Sequence, residues 1–191
     1  MRIGGVLLAA GKSRRFGSNK LLADAGGIPL AKRAMAAMAS LNLDRAAAVV
    51  SDPVVEQMAK DAGLEAIMNP APEMGQSSSI RAGVRAMSDM DAVLLMVADQ
   101  PRLTHASLKK MMDAFVQGGG HLACLKDETH AGNPAIFSSE YFDELLSLEG
   151  DRGAKGILRK HKDRLATAAC CMEGELLDAD DPEALKCILN M

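Results

Sequence analysis

Residues 92–98 read Ala-Val-Leu-Leu-Met-Val-Ala and end in Asp99-Gln100-Pro101. A short run that is apolar on both alternating faces is the pattern of a strand covered by helices on each side of a parallel sheet. Residues 3–9, Ile-Gly-Gly-Val-Leu-Leu-Ala, read the same way, and residues 45–50 supply another strand. Between them Leu30, Ala34, Met35, Met38 and Leu41 recur at helical spacing. Asp52-Pro53 provides an N-cap and a first-position proline for a helix ending near Gly63, before a short strand over residues 64–68. Residues 76–87 read as a helix. Thr104 caps the next, whose Leu108, Met111, Met112 and Phe115 lie on one face. This alternation predicts an α/β three-layer sandwich with a mainly parallel sheet.

Beyond Gly118-Gly119-Gly120 the pattern is less regular. Strands are expected over residues 122–126, 135–137 and 165–172, and a helix over 139–148. Asp181-Pro182 caps a last helix through Leu189. This half is expected to add an antiparallel edge to the sheet. With no repeat, linker or low-complexity tract, residues 1–191 are expected to form a single domain.

Composition removes several classes of function. Lys plus Arg number 22 against 25 for Asp plus Glu, a formal charge of −3, and aromatic residues make up 3% of the chain. That balance offers neither the basic surface nor the stacking platforms of a nucleic-acid binder. The apolar runs fall short of the roughly 18 residues of a membrane span, and residues 4–10 lead into a charged loop, unlike a signal peptide. Cys124, Cys170, Cys171 and Cys187 form no CxxC pair, so no disulfide framework is indicated. A cytoplasmic enzyme or binding protein is the expectation.

In open parallel sheets ligands bind outside the carboxyl ends of the strands. The first strand ends in Ala10-Gly11-Lys12-Ser13-Arg14-Arg15-Phe16-Gly17-Ser18-Asn19-Lys20. Glycines, serines and cations in one loop suit a polyphosphate, whose oxygens take backbone N–H groups and whose charge the cations offset. The 92–98 strand ends in Asp99, at the same edge. A carboxylate beside a cationic phosphate loop is explained by a bridging divalent ion, since Mg²⁺ takes one or two carboxylates plus phosphate oxygens. The blander readings are a solvated turn for the loop, a backbone-bonding role for Asp99, a helix cap for Ser77-Ser78-Ser79, and a cap for Asp181. Gly5 stands one residue too far from Gly11-Lys12-Ser13 for a P-loop, and the intervening residues are strand. His105, His121, His130 and His161 lack metal-ligand spacing, and no GxSxG elbow is present. Cys170-Cys171 read as core thiols, and the methionines as flexible core packing.

Leu8-Ala9-Ala10-Gly11-Lys12-Ser13-Arg14-Arg15-Phe16-Gly17-Ser18-Asn19-Lys20-Leu21-Leu22 resembles the LAAGxSxRxGxxKLL motif of the molybdenum cofactor cytidylyltransferase family, within the nucleotidyltransferase superfamily. Further segments agree in order: residues 75–83 from Gly75-Gln76-Ser77-Ser78-Ser79 to Gly83, Ala98-Asp99-Gln100-Pro101, Gly132-Asn133-Pro134, Gly150-Asp151-Arg152-Gly153-Ala154, and Asp178-Ala179-Asp180-Asp181-Pro182-Glu183. The resemblance implies a Rossmann-like fold of the nucleotide-diphospho-sugar transferase type. It implies that Leu8, Ala9, Ala10, Gly11, Lys12, Gly75, Gln76, Ser77, Ser78 and Ser79 bind the nucleotide. Arg15 and Lys20 would contact the triphosphate and, with Asp99, carry catalysis. Asp99 and Asp180 would hold Mg²⁺, or Mn²⁺ in its place, and Asn133 and Asp151 would face the acceptor.

The implied reaction transfers CMP from CTP to the terminal phosphate of molybdopterin, releasing pyrophosphate. The implied recipient of the product is a molybdoenzyme or its chaperone. Ala10 points to the cytidylyl branch, because the guanylyl branch usually carries glycine there. Ala179, Asp181, Ala184 and Lys155 depart from the family's terminal DIDTPED and GDxGAR motifs. The alternatives are GTP as donor, another phosphorylated acceptor, or a carrier that holds molybdopterin without turnover.

Overall fold

The computed structural model describes residues 1–11 and 16–191. Its strands are β1 (Ile3–Ala9), β2 (Arg45–Val50), β3 (Glu65–Met68), β4 (Ala92–Val97), β5 (Leu122–Lys126), β6 (Ala131–Ser138) and β7 (Leu165–Ala169). The helices are α1 (Leu30–Ala39), α2 (Pro53–Asp61), α3 (Gln76–Ala86), α4 (His105–Gln117), α5 (Phe142–Leu146), α6 (Lys155–Lys160) and α7 (Pro182–Leu189). The strands form one sheet in the order β3-β2-β1-β4-β6-β5-β7. Within it β6 alone among these strands runs antiparallel, pairing with β4 on one side and β5 on the other, while β7 returns parallel to β5. The antiparallel pairings therefore occupy one flank of the sheet, with two further strands beyond β4 and β6.

Alternation along each strand makes the layers. Leu7, Val50, Leu94 and Met96 pack with Met35 and Met38 of α1, Val55 of α2, and Leu108, Met111 and Phe115 of α4. Their neighbours Val6, Val49, Val93 and Leu95 face the other way, onto Ile80 and Val84 of α3, Met87 at its C-cap, and Phe142, Leu145 and Ile157. Strands buried on both faces are continuous apolar runs for this reason. Asp52 caps α2, Thr104 caps α4 and Asp181 caps α7, each side chain accepting from N–H groups of the first turn.

Departures from the sequence expectation lie in the second half. β6 starts at Ala131, and the β5–β6 register shifts between Cys124 and Lys126. Such a bulge accommodates Pro134, which cannot donate to a ladder. The helix expected over 139–148 is a 3₁₀ turn, Ser139–Tyr141, followed by α5. β7 stops at Ala169 because the chain leaves the ladder: the Cys171 N–H donates to Ser107 Oγ at 2.8 Å. Helix α6 had no counterpart in the sequence reading.

Candidate active site

The helices after β1 and β2 pack on one face and α3, which leads to β4, on the other. Strand order thus reverses between β1 and β4, which are paired in parallel. A crevice opens at such a switch point, beyond the carboxyl ends of the two strands. It contains two adjoining clefts. The first, of about 360 Å³, is lined by Leu8, Ala10 and Gly11 from the end of β1, by Lys20, by Glu73, Gly75, Gln76 and Ser79 around the start of α3, and by Asp99 and Asp151. The second, of about 270 Å³, is lined by Gln100, His130, Asn133, Phe137, Lys155 and Asp178 among others. Leu8, Gln76, Val97 and Asp99 belong to both.

Lys20 opens a 3₁₀ turn, Lys20–Leu22, whose cap Asn19 accepts from the Leu21 N–H. Asn19 also donates to Asp52 Oδ2 at 3.1 Å, tying this loop to the start of α2. The Lys20 ammonium so positioned donates to Asp99 Oδ2 at 2.6 Å and lies 3.6 Å from Asp180 Oδ1. Lys20 and Asp99 keep only 13% and 19% of their side-chain surface, whereas Asp180 keeps 44%. Asp180 is brought here because Ala25, Leu30, Ala179, Leu185 and Ile188 form a small core of their own, and the Ala179 N–H donates to the Asp99 carbonyl at 2.8 Å.

Asp99 Oδ1 is buried and has no hydrogen-bond partner among the described residues. Gln100 Nε2 donates to the Leu176 carbonyl and, at 3.0 Å, to Asp178 Oδ1. Although Asp178 is open at its outer edge, desolvation pushes its carboxyl above the ordinary value, helped by the charges of Asp99 and Asp180 and opposed by the Gln100 bond and Lys20. Among the described residues, Asp99 and Asp180 thus place negative charge around the Lys20 ammonium, with Asp178 close by. Among the described residues no three His, Cys, Asp or Glu side chains converge as a metal cage. The donor set nonetheless fits an Mg²⁺-type ion, which takes one or two carboxylates and completes its shell with phosphate oxygens and water. The unpartnered Asp99 oxygen is the observation that matches it.

The structure brings together Leu8, Ala10, Gly11, Lys20, Gly75, Gln76, Ser79, Asp99 and Asp151 on the first cleft, with Asp180 beside Lys20. Ala9 turns into the core. Ser77 and Ser78 line neither cleft: Ser77 is fully buried and accepts from Arg81, and the Ser78 hydroxyl donates to the Gly75 carbonyl at 2.8 Å. Asn133 lies on the second cleft, whereas Asp151 lies on the first. Gly75 has φ +83°, and a Cβ there would stand 2.4 Å from Asp151 Oδ1 and 2.6 Å from the Gly150 carbonyl, so only glycine lets residues 150–151 close over the start of α3. Lys12 and Arg15 lie outside the described residues. The sequence reading passed over Asn69, Pro72 and Glu73, which follow β3. The strand-end rule that selected Asp99 also points to them.

The chain matches the MobA-like NTP transferase domain over residues 5–165. The chain belongs to this family. It is also 31% identical to the purine catabolism protein PucB of Bacillus subtilis, with 94% of this chain and 92% of that protein covered. Identity to a probable molybdenum cofactor guanylyltransferase of Pyrococcus horikoshii is 27%, covering 82% of this chain and 78% of that one. A manganese complex of Rv0371c from Mycobacterium tuberculosis superposes with a TM-score of 0.78 over 100% of this chain and 99% of that chain, at 22% identity. The protein is a nucleotidyltransferase of the MobA-like NTP transferase family. The family match supports the superfamily and does not single out the cytidylyl branch within it.

Proposed function

We propose that this MobA-like NTP transferase transfers CMP from CTP to the terminal phosphate of molybdopterin. The observation that carries the reading is Asp99, which faces both clefts with one oxygen on Lys20 and the other without a hydrogen-bond partner among the described residues. A transferase needs two ligands to meet at one charged centre, and Asp99 stands where the clefts join. The nucleoside lies at the Gly75–Ser79 end of the first cleft, and its triphosphate extends toward Lys20; Lys12 and Arg15 are assigned to it by the motif alone. The acceptor enters the second cleft past Asn133. An oxygen of its phosphate attacks the α-phosphorus, the new P–O bond forms as the bond to the β-phosphate oxygen breaks, and pyrophosphate leaves. A phosphate monoester is already anionic near neutral pH, so no general base is required of the chain. Its work is alignment and charge compensation, with Lys20 offsetting charge that develops on the phosphates. Asp99 and Asp180 would hold Mg²⁺ or Mn²⁺, which would screen the phosphate oxygens. The relative crystallised with manganese favours a divalent ion of this kind.

Ala10, which lines the first cleft, supports CTP, because the guanylyl branch of the superfamily that the motif resembles usually carries glycine there. GTP is the second reading, favoured by the name of the Pyrococcus relative. Pyrophosphate release with Mg²⁺ and molybdenum-loaded molybdopterin, compared across CTP, GTP and ATP, tests both. Turnover with CTP that Asp99→Asn abolishes is expected. Turnover with GTP alone keeps the chemistry and replaces the donor, and binding of a triphosphate without turnover rejects molybdopterin as acceptor.

A further inference from the structure

Asn69 stands just beyond β3, buried to 4% exposure, and touches neither cleft. Both of its amide hydrogens are used, and its oxygen has a partner. The Oδ1 atom accepts from the Ala71 N–H at 2.9 Å, and Nδ2 donates to Ser78 Oγ and Ser79 Oγ, each at 2.9 Å. A hydroxyl has one hydrogen and two lone pairs, so accepting from Asn69 constrains what it does next. Ser78 sends its hydrogen to the Gly75 carbonyl. Ser79 has no hydrogen-bond acceptor among the described residues, and it lines the first cleft. With a lone pair held by Asn69, the Ser79 hydroxyl is left to offer its hydrogen to the cleft.

We infer that Asn69 is a positioning residue that fixes Ser79 as a hydrogen-bond donor toward an acceptor atom, a carbonyl oxygen or ring nitrogen, on the bound nucleoside. The inference rests on the reading of the first cleft as the nucleotide site. A hydroxyl free to rotate would accept from an exocyclic amine as readily as it donates to a carbonyl. One with a lone pair already taken keeps its hydrogen and a single lone pair in a fixed orientation, so it favours the carbonyl over the amine, and that bias is a device for selecting a base. Two different strand ends are thereby coupled: β1 and β4 carry the groups for the phosphates, and β3 sets the polarity at the nucleoside end.

Asn69→Asp tests this directly. The carboxylate keeps the shape and still accepts from the Ala71 N–H, but it presents an acceptor to Ser79 where the amide presented a donor. The Ser79 hydrogen then turns away from the cleft. Binding is read by titrating Mg²⁺–CTP into the protein without acceptor, so the measurement does not depend on turnover. We expect Kd to rise roughly tenfold, the effect of one neutral hydrogen bond, with the same loss in Ser79→Ala. In the Ser79→Ala background, adding Asn69→Asp should change Kd by less than about twofold, because the two substitutions remove one interaction. A residue that merely holds the fold would give additive losses, and additivity overturns the inference. So does an unchanged Kd in Ser79→Ala, which decides the matter even if Asn69→Asp does not fold. Wild-type protein that binds none of CTP, GTP and ATP overturns the nucleotide reading itself, and the inference with it.

Discussion

Lys20→Met removes the one ammonium that stands between Asp99 and Asp180 among the described residues, at 2.6 Å and 3.6 Å. Its consequences follow from burial. An ion pair at about 4 Å interacts by roughly 4 kcal/mol at an effective dielectric of about 20, before either group's desolvation is counted. Breaking a fully buried pair costs about 3–5 kcal/mol, because the remaining charge is stranded. Here Lys20 and Asp99 are largely covered but Asp180 is 44% exposed, so solvent relieves part of that cost and about 1–3 kcal/mol is expected. For a chain of this length that is a fall in Tm of roughly 2–12 °C. Catalysis should suffer more. Loss of one preorganised charge contact at the phosphates costs about 10²–10³ in kcat.

A divalent ion separates this account from simple loss of packing. With Lys20 gone, Asp99 Oδ2 loses the ammonium that among the described residues would compete with the ion, so Mn²⁺ should raise the Tm of Lys20→Met by more than that of the wild type at equal concentration. Scanning calorimetry with and without Mn²⁺, beside pyrophosphate release, measures both effects. A variant within tenfold of wild-type kcat/KM, or one with a smaller gain from Mn²⁺ than the wild type, would refute the reasoning.

Asp52→Ala removes a cap bonded to the Val54 and Val55 N–H groups and should cost about 1 kcal/mol in denaturant titrations near pH 7. Burial alone would raise the Asp52 carboxyl, but the Asn19 bond and the two N–H groups lower it below 3.8. Its stabilisation is therefore present above that value and lost as pH falls through the lower folded value, so the gap from wild type should close by about pH 2. Asp178 has the opposite sign. Its raised carboxyl makes folding less favourable as pH rises through 3.8 toward the folded value, so Asp178→Asn should stabilise the metal-free protein near neutrality and leave it unchanged near about pH 3. Gly83→Ala places a Cβ 2.3 Å from Val6 Cγ1, where α3 crosses β1. Despite alanine's helix propensity it should lose about 1–3 kcal/mol in urea unfolding, and Val6→Ala should restore most of it.

Which features the sequence discloses depends on how far their physical cause extends along the chain. β1, β2 and β4 were legible because each needs apolar residues on both faces and obtains them within six or seven residues. Helix α6 was hidden because it has only six residues, Gly156 interrupts its pattern, and only Ile157 and Leu158 are buried from it. The extent of β6 was hidden by Gly132 and Pro134, residues that read as a turn until β5 supplies the register shift that absorbs them. At the site, local chemistry identified candidates and left their partners open. A lysine in a glycine-containing loop and an aspartate at a strand end both mark an anion or metal site, yet their bond joins residues 79 positions apart. The Gln100–Asp178 bond spans 78. The three serines at 77–79 show the difference most clearly. As polar residues at a helix start they are equivalent on paper, and the resemblance placed all three on the nucleotide. In the fold the helical period sends Ser77 to Arg81 and Ser78 to the Gly75 carbonyl, and it leaves Ser79 facing the cleft with Asn69 behind it. Position on a helix decides which serine lines the cleft, and one buried amide just beyond β3 holds that serine's hydroxyl.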